Sequence, residues 1–370
     1  MQRNYSVLIK PSSSLCNLRC KYCFYEDEAC LRRVKSFGLM NDRVMQKLIQ
    51  HIFTDLTDGD AITFAFQGGE PTLSGLPFFQ KFVDLVDSQT KRVTVHYALQ
   101  TNGTLINEAW CRFLRKNDFL VGLSIDGNKR FHDMNRVDAK NRGTFQRVMK
   151  AKQLFDQYDI KYNVLCVLTN QMAKHTQLVF KYILREHIDY IQFIPCLDGL
   201  RTREPSPFAL RPEKFAYFYN CLFKLWQVKI DEGLFIHINF FEDVINCFNG
   251  VSSTCGIDGL CHNQLVIEAD GSVYPCDFYA LDQYRLGNIA VDRFKDLLRS
   301  NIADRFIHSR TSLSSYCRKC EFVRFCHGGC KRMKNQMYVN QAENYCGYQD
   351  FLTHNLQKLL NLSLVHLSKA

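Results

Sequence analysis

Cys16-Asn17-Leu18-Arg19-Cys20-Lys21-Tyr22-Cys23 is the stretch on which the reading of this chain turns. It follows directly on a short apolar, β-branched run, Ser6–Lys10, so its three thiols sit on a loop at the end of a strand. Spacings of four and three residues suit a loop wrapped around one corner of a [4Fe–4S] cube. Three ligands leave one iron open. An open site suits a chelating amino acid such as S-adenosylmethionine (SAM), through its amino and carboxylate groups. Zinc is the alternative, but zinc takes four ligands, and the nearest further candidate is Cys30, seven residues on. Tyr22, just before the last cysteine, is placed to pack against an adenine ring.

Working outward, five more strand-like runs follow, at Ala61–Gln67, Val93–Gln100, Leu120–Asp126, Lys161–Leu168 and Tyr190–Cys196. Helical patterns lie at Asp42–Leu56, Pro77–Gln89, Glu108–Lys116, Thr144–Tyr158 and Ala173–His187. Strands alternating with helices imply right-handed crossovers and a parallel sheet. The expected fold class is α/β, a curved sheet or partial (β/α)6 TIM-like barrel with function at the C-terminal ends of the strands. After Cys196 the pattern changes. Leu200–Leu210, with Arg201, Arg203, Pro205 and Pro207, reads as a loop. Pro212 opens a helix whose stripe of Phe215, Phe218, Tyr219, Leu222, Phe223 and Trp226 reads as core. A hairpin is expected from Gln264–Glu268 and Ser272–Cys276 around the turn Asp270-Gly271. The expected division is a core over 1–233 and a C-terminal cysteine-rich domain over 234–370 that ends in a helix. No solenoid repeat or low-complexity tract is present.

Composition bounds the rest. The 370 residues are 46% hydrophobic and 23% charged, ordinary for a soluble globular protein, and no run approaches a membrane span. Val7–Ile9 is too short for a signal-peptide core, so a cytoplasmic address is expected. There disulfides are rare, and seventeen cysteines point to metal or catalysis. The formal charge of +10 need not imply a nucleic acid, since eleven thiolates around three cluster cores would bring it to about +5.

Several features together resemble the radical SAM superfamily, whose hallmark is CxxxCxxC after the first barrel strand. Gln67-Gly68-Gly69-Glu70-Pro71, after the second strand, is similar to the motif that holds the SAM amino group. Gly68 and Gly69 permit close backbone approach and Glu70 offers an acceptor for an ammonium. Gln100-Thr101-Asn102-Gly103, Ser124-Ile125-Asp126-Gly127 and His132-Asp133-Met134-Asn135-Arg136 match positions that line the SAM pocket. Ser124 and Arg136 are the candidates for its ribose or carboxylate. Eight later cysteines suffice for two fully ligated cubes. They resemble the SPASM extension of peptide-modifying radical SAM enzymes. By that resemblance Cys255, Cys261, Cys276 and Cys330 would hold one auxiliary cluster, and Cys317, Cys320, Cys326 and Cys346 a second. Cysteine spacing alone leaves two zinc sites as the alternative. Cys30, Cys111, Cys166, Cys196, Cys221 and Cys247 are expected to be buried structural thiols.

Across nearly the whole chain the sequence is similar to the anaerobic sulfatase-maturating enzymes. The marks are Cys23-Phe24-Tyr25, Lys35-Ser-Phe-Gly38-Leu-Met40, Phe64-Ala-Phe-Gln67-Gly-Gly-Glu-Pro71, Leu99-Gln-Thr-Asn-Gly103, Gln192-Phe-Ile-Pro-Cys196-Leu-Asp198 and Asp270-Gly-Ser-Val-Tyr-Pro-Cys276-Asp277-Phe278-Tyr279. Such enzymes oxidise a Cys or Ser in a sulfatase CxPxR-type motif to Cα-formylglycine through a 5′-deoxyadenosyl radical. The resemblance implies SAM and three [4Fe–4S] clusters, with Asp277 as general base for the thiol or hydroxyl proton and the auxiliary clusters accepting the second electron. Tyr25 and Gln67 would shape the peptide pocket. It further implies an unfolded or nascent sulfatase polypeptide as substrate, a flavodoxin- or ferredoxin-like electron donor, no nucleic acid or membrane partner, and a monomer. The alternative is a SPASM maturase that crosslinks or epimerises a ribosomal precursor peptide. Such maturases often carry an N-terminal peptide-recognition domain, whereas here the barrel begins by residue 6. Asp198-Gly-Leu-Arg-Thr-Arg-Glu-Pro-Ser-Pro207 departs from the family pattern, which bears on peptide specificity.

Overall fold

A computed structural model describes residues 3–201, 204–251, 254–309, 312–340, 342 and 344–367. Arg203 of the expected loop lies outside them. Ten strands carry the architecture: β1 (Asn4–Ile9), β2 (Ala61–Phe66), β3 (Thr94–Thr101), β4 (Leu120–Ser124), β5 (Tyr162–Leu168), β6 (Tyr190–Pro195), β7 (His237–Ile238), β8 (Val266–Ile267), β9 (Ser272–Tyr274) and β10 (Gly287–Asn288). All six strands expected from the sequence form within two residues of their expected bounds. The chain folds into two compact units. The first comprises Met1–Ser124, Asp133–Tyr162 and His262–Ser309, and the second Ile125–His132, Asn163–Cys261 and Arg310–Ala370.

In the first unit the strand order is β10-β9-β8-β1-β2-β3-β4. β1, β2 and β3 run parallel in register, from Asn4↔Ala61 to Ile9↔Phe66 and from Ala61↔Thr94 to Phe66↔Leu99, and β4 joins β3 at Ala98↔Leu120. Side chains alternate between the two faces, and Val7, Ile9, Ile62, Phe64, Phe66, Leu99, Val121 and Leu123, at alternate positions along their strands, are all buried. Helix Asp42–Asp55 is capped by Asn41, whose Oδ1 accepts the Val44 N–H at 3.0 Å, and Asn107 caps Glu108–Lys116 in the same way at 3.1 Å. Between sheet and helices, Phe64, Phe66, Phe79, Phe82 and Trp110 meet edge to face at 4.9–5.1 Å. The expected hairpin forms as β8 and β9, and β8 also adds to β1 in parallel, with Leu8 opposite Val266. This second pairing has no sequence signal. It sets the hairpin beside the strand that leads into the Cys16 loop.

In the second unit β5, β6 and β7 are parallel neighbours. The expected helix at Ala173–His187 starts later, at Thr176, because Met172–His175 closes as a 3₁₀ turn. Pro212 opens helix Pro212–Asp231, where its missing N–H costs nothing. All six residues of the expected stripe are buried, with Tyr219 against Phe240 at 4.0 Å and Phe241 stacked on Phe351 of the last helix, Gly347–Leu367. The loop after β6 is closed by Asp198. Its carboxylate accepts from Ser206 N–H at 2.7 Å, Arg211 at 2.6 Å and Gln336 at 2.9 Å.

Of the six cysteines expected to be buried thiols, Cys111, Cys166 and Cys196 are buried. Cys221 and Cys247 are half-buried and Cys30 is exposed. Cys30 sits on helix Phe24–Leu31, whose inner face is taken by Glu28 and Ala29.

Candidate active site

The Cys16–Cys23 loop leaves β1 and is stitched to the segment 135–138 by Arg19 N–H to Val137 C=O at 2.7 Å and Lys21 N–H to Asn135 C=O at 3.0 Å. Cys16 Sγ accepts the Leu18 N–H at 3.3 Å. Cys23 is the N-cap of helix Phe24–Leu31, and the nearby backbone N–H groups of Glu26 and Tyr25 act to lower its thiol's pKa. Such N–H···S bonds stabilise electron-rich sulfur. Burial pushes the Cys16 thiol up to about 11, with Leu18 N–H opposing, and also raises Cys23. A buried thiolate needs a cationic partner, which a cluster core supplies. The donor set therefore fits a three-cysteine [4Fe–4S] site.

Gly68 and Gly69 pack onto this loop. Both have positive φ, +88° and +46°, and a Cβ on Gly69 would stand 2.1 Å from Leu15 C=O, one on Gly68 2.5 Å from Lys10 Cγ. Glu70 is buried and its carboxylate accepts four hydrogen bonds: Thr72 N–H at 3.1 Å, Thr72 hydroxyl at 2.6 Å, Thr101 hydroxyl at 2.7 Å and Asn102 N–H at 2.7 Å. Burial raises its pKa and these donors oppose the rise. Glu70 thus ties the end of β2 to the end of β3. Asn102 in turn donates to Asn17 Oδ1 at 2.9 Å, inside the cysteine loop. Ser124, at the end of β4, accepts from Gln100 at 3.0 Å, and the Arg136 guanidinium lies 5.7 Å from the Tyr22 ring centre.

Asp277 follows Cys276 at the exit of β9 and is 5% exposed. The Tyr25 hydroxyl donates to its Oδ2 at 2.7 Å, and Gln67 Nε2 reaches the same oxygen at 3.0 Å and the Tyr25 oxygen at 2.7 Å. The sequence candidates Asp277, Tyr25 and Gln67 therefore meet in one cluster. Sequence reading missed Lys10. Its ammonium is 1% exposed and lies 3.0 Å from Asp277 Oδ1, 3.4 Å from Glu28 and 3.7 Å from Glu268. Burial alone would lower the Lys10 pKa, but Asp277, Glu28 and Glu268 outweigh it and hold the amine protonated. Arg32 pairs with Glu268 at 2.5 Å. Tyr25 and Glu28 stand three residues apart on helix Phe24–Leu31 and so share one face, and Arg32 is its extended C-cap.

In the second unit Cys317, Cys320, Cys326 and Cys346 line one pocket with Tyr316, Tyr338 and Tyr348. Cys346 Sγ accepts the Gln349 N–H at 3.5 Å, and nearby backbone N–H groups act to lower the Cys320 and Cys326 thiols, which burial raises. This set also fits a fully ligated cluster. Cys255, Cys261 and Cys330 are close enough to act on one another's charge. Burial pushes Cys255 up to about 12, and Cys330 and Cys261 add to the rise. Cys276 belongs to the first unit.

Residues 11–182 match the Radical SAM superfamily and 260–321 match an iron–sulfur cluster-binding domain, SPASM. The chain is 39% identical over 363 residues to the cysteine-type anaerobic sulfatase-maturating enzyme of Clostridium novyi, covering 96% of each. It is 40% identical over 364 residues to that of Clostridium perfringens strain 13, covering 97% of this chain and 98% of the relative. The solved structure of native anSMEcpe with bound AdoMet and Cp18Cys peptide superposes with a TM-score of 0.88 at 38% identity, covering 97% and 98% of the two chains. With its cysteine loop after β1, its glycine pair after β2 and its buried Asp277 after β9, all strands of one sheet, this chain belongs to the anaerobic sulfatase-maturating enzymes of the radical SAM superfamily.

Proposed function

We propose that this enzyme oxidises a cysteine in a CxPxR-type motif of a sulfatase polypeptide to Cα-formylglycine, with Asp277 as the base. The observation that carries the reading is the buried Asp277 carboxylate, held by Tyr25, Gln67 and Lys10. The relatives that match over nearly the full length carry the cysteine-type name, which supports a thiol as the group whose proton Asp277 takes.

When bound, SAM and the Cys16–Cys20–Cys23 [4Fe–4S] cluster supply the 5′-deoxyadenosyl radical that takes a hydrogen atom from the substrate Cβ. The chain's own residues do the rest. Gly68 and Gly69 give their backbone to the SAM amino group, and Glu70 fixes that backbone from beneath. Tyr22 packs on the adenine, and Ser124 and Arg136 take the ribose or carboxylate. Asp277 accepts the thiol proton, with Lys10 holding one of its oxygens and Tyr25 and Gln67 orienting the other. Gln67 and Tyr25 also border the peptide.

By the family resemblance Cys255, Cys261, Cys276 and Cys330 would hold one auxiliary [4Fe–4S] cluster and Cys317, Cys320, Cys326 and Cys346 a second, and these would supply an acceptor for the departing electron. Full cysteine ligation suits electron transfer better than substrate coordination. A flavodoxin- or ferredoxin-like protein supplies the priming electron, and the enzyme works as a cytoplasmic monomer on an unfolded or nascent sulfatase. Among the described residues no helix is long and apolar enough to cross a membrane.

The test is an anaerobic assay with reconstituted, reduced enzyme, SAM and a synthetic CxPxR-type peptide, read by mass spectrometry. Formylglycine together with 5′-deoxyadenosine supports the reading. 5′-Deoxyadenosine with unchanged peptide turns attention to a crosslinking or epimerising maturase.

A further inference from the structure

Glu28 touches two of the groups that fix Asp277. It lies on helix Phe24–Leu31 and is 1% exposed. Its Oε1 accepts the Ala280 N–H at 2.7 Å, which ties down the 3₁₀ turn Asp277–Tyr279. Its Oε2 lies 3.4 Å from Lys10 Nζ, itself 3.0 Å from Asp277 Oδ1. One carboxylate therefore holds both the backbone of the turn and the cation that meets the turn's acid.

Charge balance does not require it. Arg32 already pairs with Glu268, and Lys10 already has Asp277. Glu28 leaves the cluster with three carboxylates to two cations, and an unbalanced buried charge is costly. A neutral side chain of similar size would pack with less penalty. The acid is kept where stability argues against it, as happens at functional sites.

We propose that Glu28 is a positioning residue for Asp277, clamping Lys10 and Ala280 so that the Asp277 carboxylate keeps one oxygen on the ammonium and the other toward Tyr25 and Gln67. The inference rests on Asp277 acting as the base. The groups facing Glu28 are Lys10 from the end of β1, Arg32 from the end of its own helix and Asp277 from the turn, with Glu268 beyond Lys10. Burial pushes Glu28 up to about 7, Asp277 adding and Lys10 and Arg32 opposing. Its charged form, and with it the hold on Lys10, fades as pH falls through neutrality.

The experiment uses the holoenzyme with three clusters and reads formylglycine per 5′-deoxyadenosine between about pH 6 and 8.5, a range that brackets the Glu28 titration from both sides. Glu28→Gln keeps an oxygen for Ala280 but removes the charge facing Lys10. Glu28→Ala removes both. Each is expected to lower the product ratio at pH 8 about tenfold while SAM cleavage continues. The wild-type decline toward acid pH should be absent from Glu28→Gln. Hydrogen–deuterium exchange at Ala280 should quicken in Glu28→Ala and not in Glu28→Gln. Should Glu28→Gln assemble poorly, the charge-matched pair Lys10→Met with Glu28→Gln is compared with Lys10→Met alone, where no further loss is expected. A wild-type ratio and pH profile in Glu28→Gln, or unchanged exchange at Ala280 in Glu28→Ala, overturns the proposal. Absence of formylglycine from the wild type would instead overturn the reading of the site itself.

Discussion

The Tyr25 hydroxyl donates a 2.7 Å hydrogen bond to Asp277 Oδ2 across 252 residues of sequence. That bond joins the helix begun by the last cysteine of the N-terminal loop to the turn that follows Cys276. The turn that carries Asp277 and the helix that follows the cysteine loop are thereby tied directly, and the roles proposed for the two can be separated by substitution.

Asp277→Asn is the simplest separation. The amide keeps the shape and an acceptor for Tyr25 but cannot take a proton. Formylglycine formation should fall by about 10²–10⁴, while 5′-deoxyadenosine from SAM remains measurable with the same enzyme. Equal loss of both products in enzyme with full iron would show that Asp277 serves assembly and not proton transfer.

Gly69→Ala strikes the other half. Its φ of +46° and the Leu15 carbonyl 2.1 Å from any added Cβ leave no room without moving the loop that carries Cys16. The left-handed conformation alone costs about 1–2 kcal/mol for a residue with a Cβ, and backbone, unlike a flexible side chain, cannot swing aside. The variant should lose about four irons per chain, one cube, and SAM cleavage with them. Iron content at the wild-type level would contradict this.

Why some of this was legible and some was not follows from the range of the interactions. The six parallel strands each carry a run rich in apolar and β-branched or aromatic residues, so they stand out locally, and the caps at Asn41 and Asn107 lie within three residues of the groups they bind. Cysteine spacing encodes the N-terminal loop for the same reason. The Lys10 cluster has no such local trace. Arg32 and Glu268 are 236 residues apart and Glu28 and Ala280 252 apart, and they meet because β8 pairs with β1. A two-residue strand such as Val266–Ile267 is too short to announce that pairing by its periodicity. Tyr25 and Glu28 stand one helical turn apart, and that spacing alone does not say what their shared face meets.

A pH prediction follows from Asp55, whose side chain is buried while Arg293 reaches it at 2.6 Å and Lys295 N–H at 2.9 Å. Burial alone would raise its pKa, but Lys295 N–H and the Arg293 guanidinium outweigh it and hold the carboxyl below its ordinary value. A depressed acid contributes stability above its unfolded pKa of about 4 and loses it as pH falls through the folded value. Asp55→Asn should therefore lower the melting temperature at pH 7, and the gap to wild type should close as pH falls below about 4. Parallel melting curves down to acid pH would show that the pair contributes nothing through its charge.

Removing the first cluster alone tests whether the two groups of cysteines are independent. With Cys16, Cys20 and Cys23 all replaced by Ala, the chain should retain about eight irons, those of two cubes, and should form no 5′-deoxyadenosine. Cys317, Cys320, Cys326 and Cys346 line their own pocket within the second unit, so the iron they hold should not depend on the N-terminal loop. Stripping the remaining iron with a chelator should then lower the melting temperature further. Thiols raised by burial, Cys346 to about 12 with Cys326 adding, are stabilised as thiolates by a bound core and release that stability when it leaves. A chelator-treated protein melting at the same temperature would mean that the pocket forms without a cluster, and that the cysteines there are structural thiols.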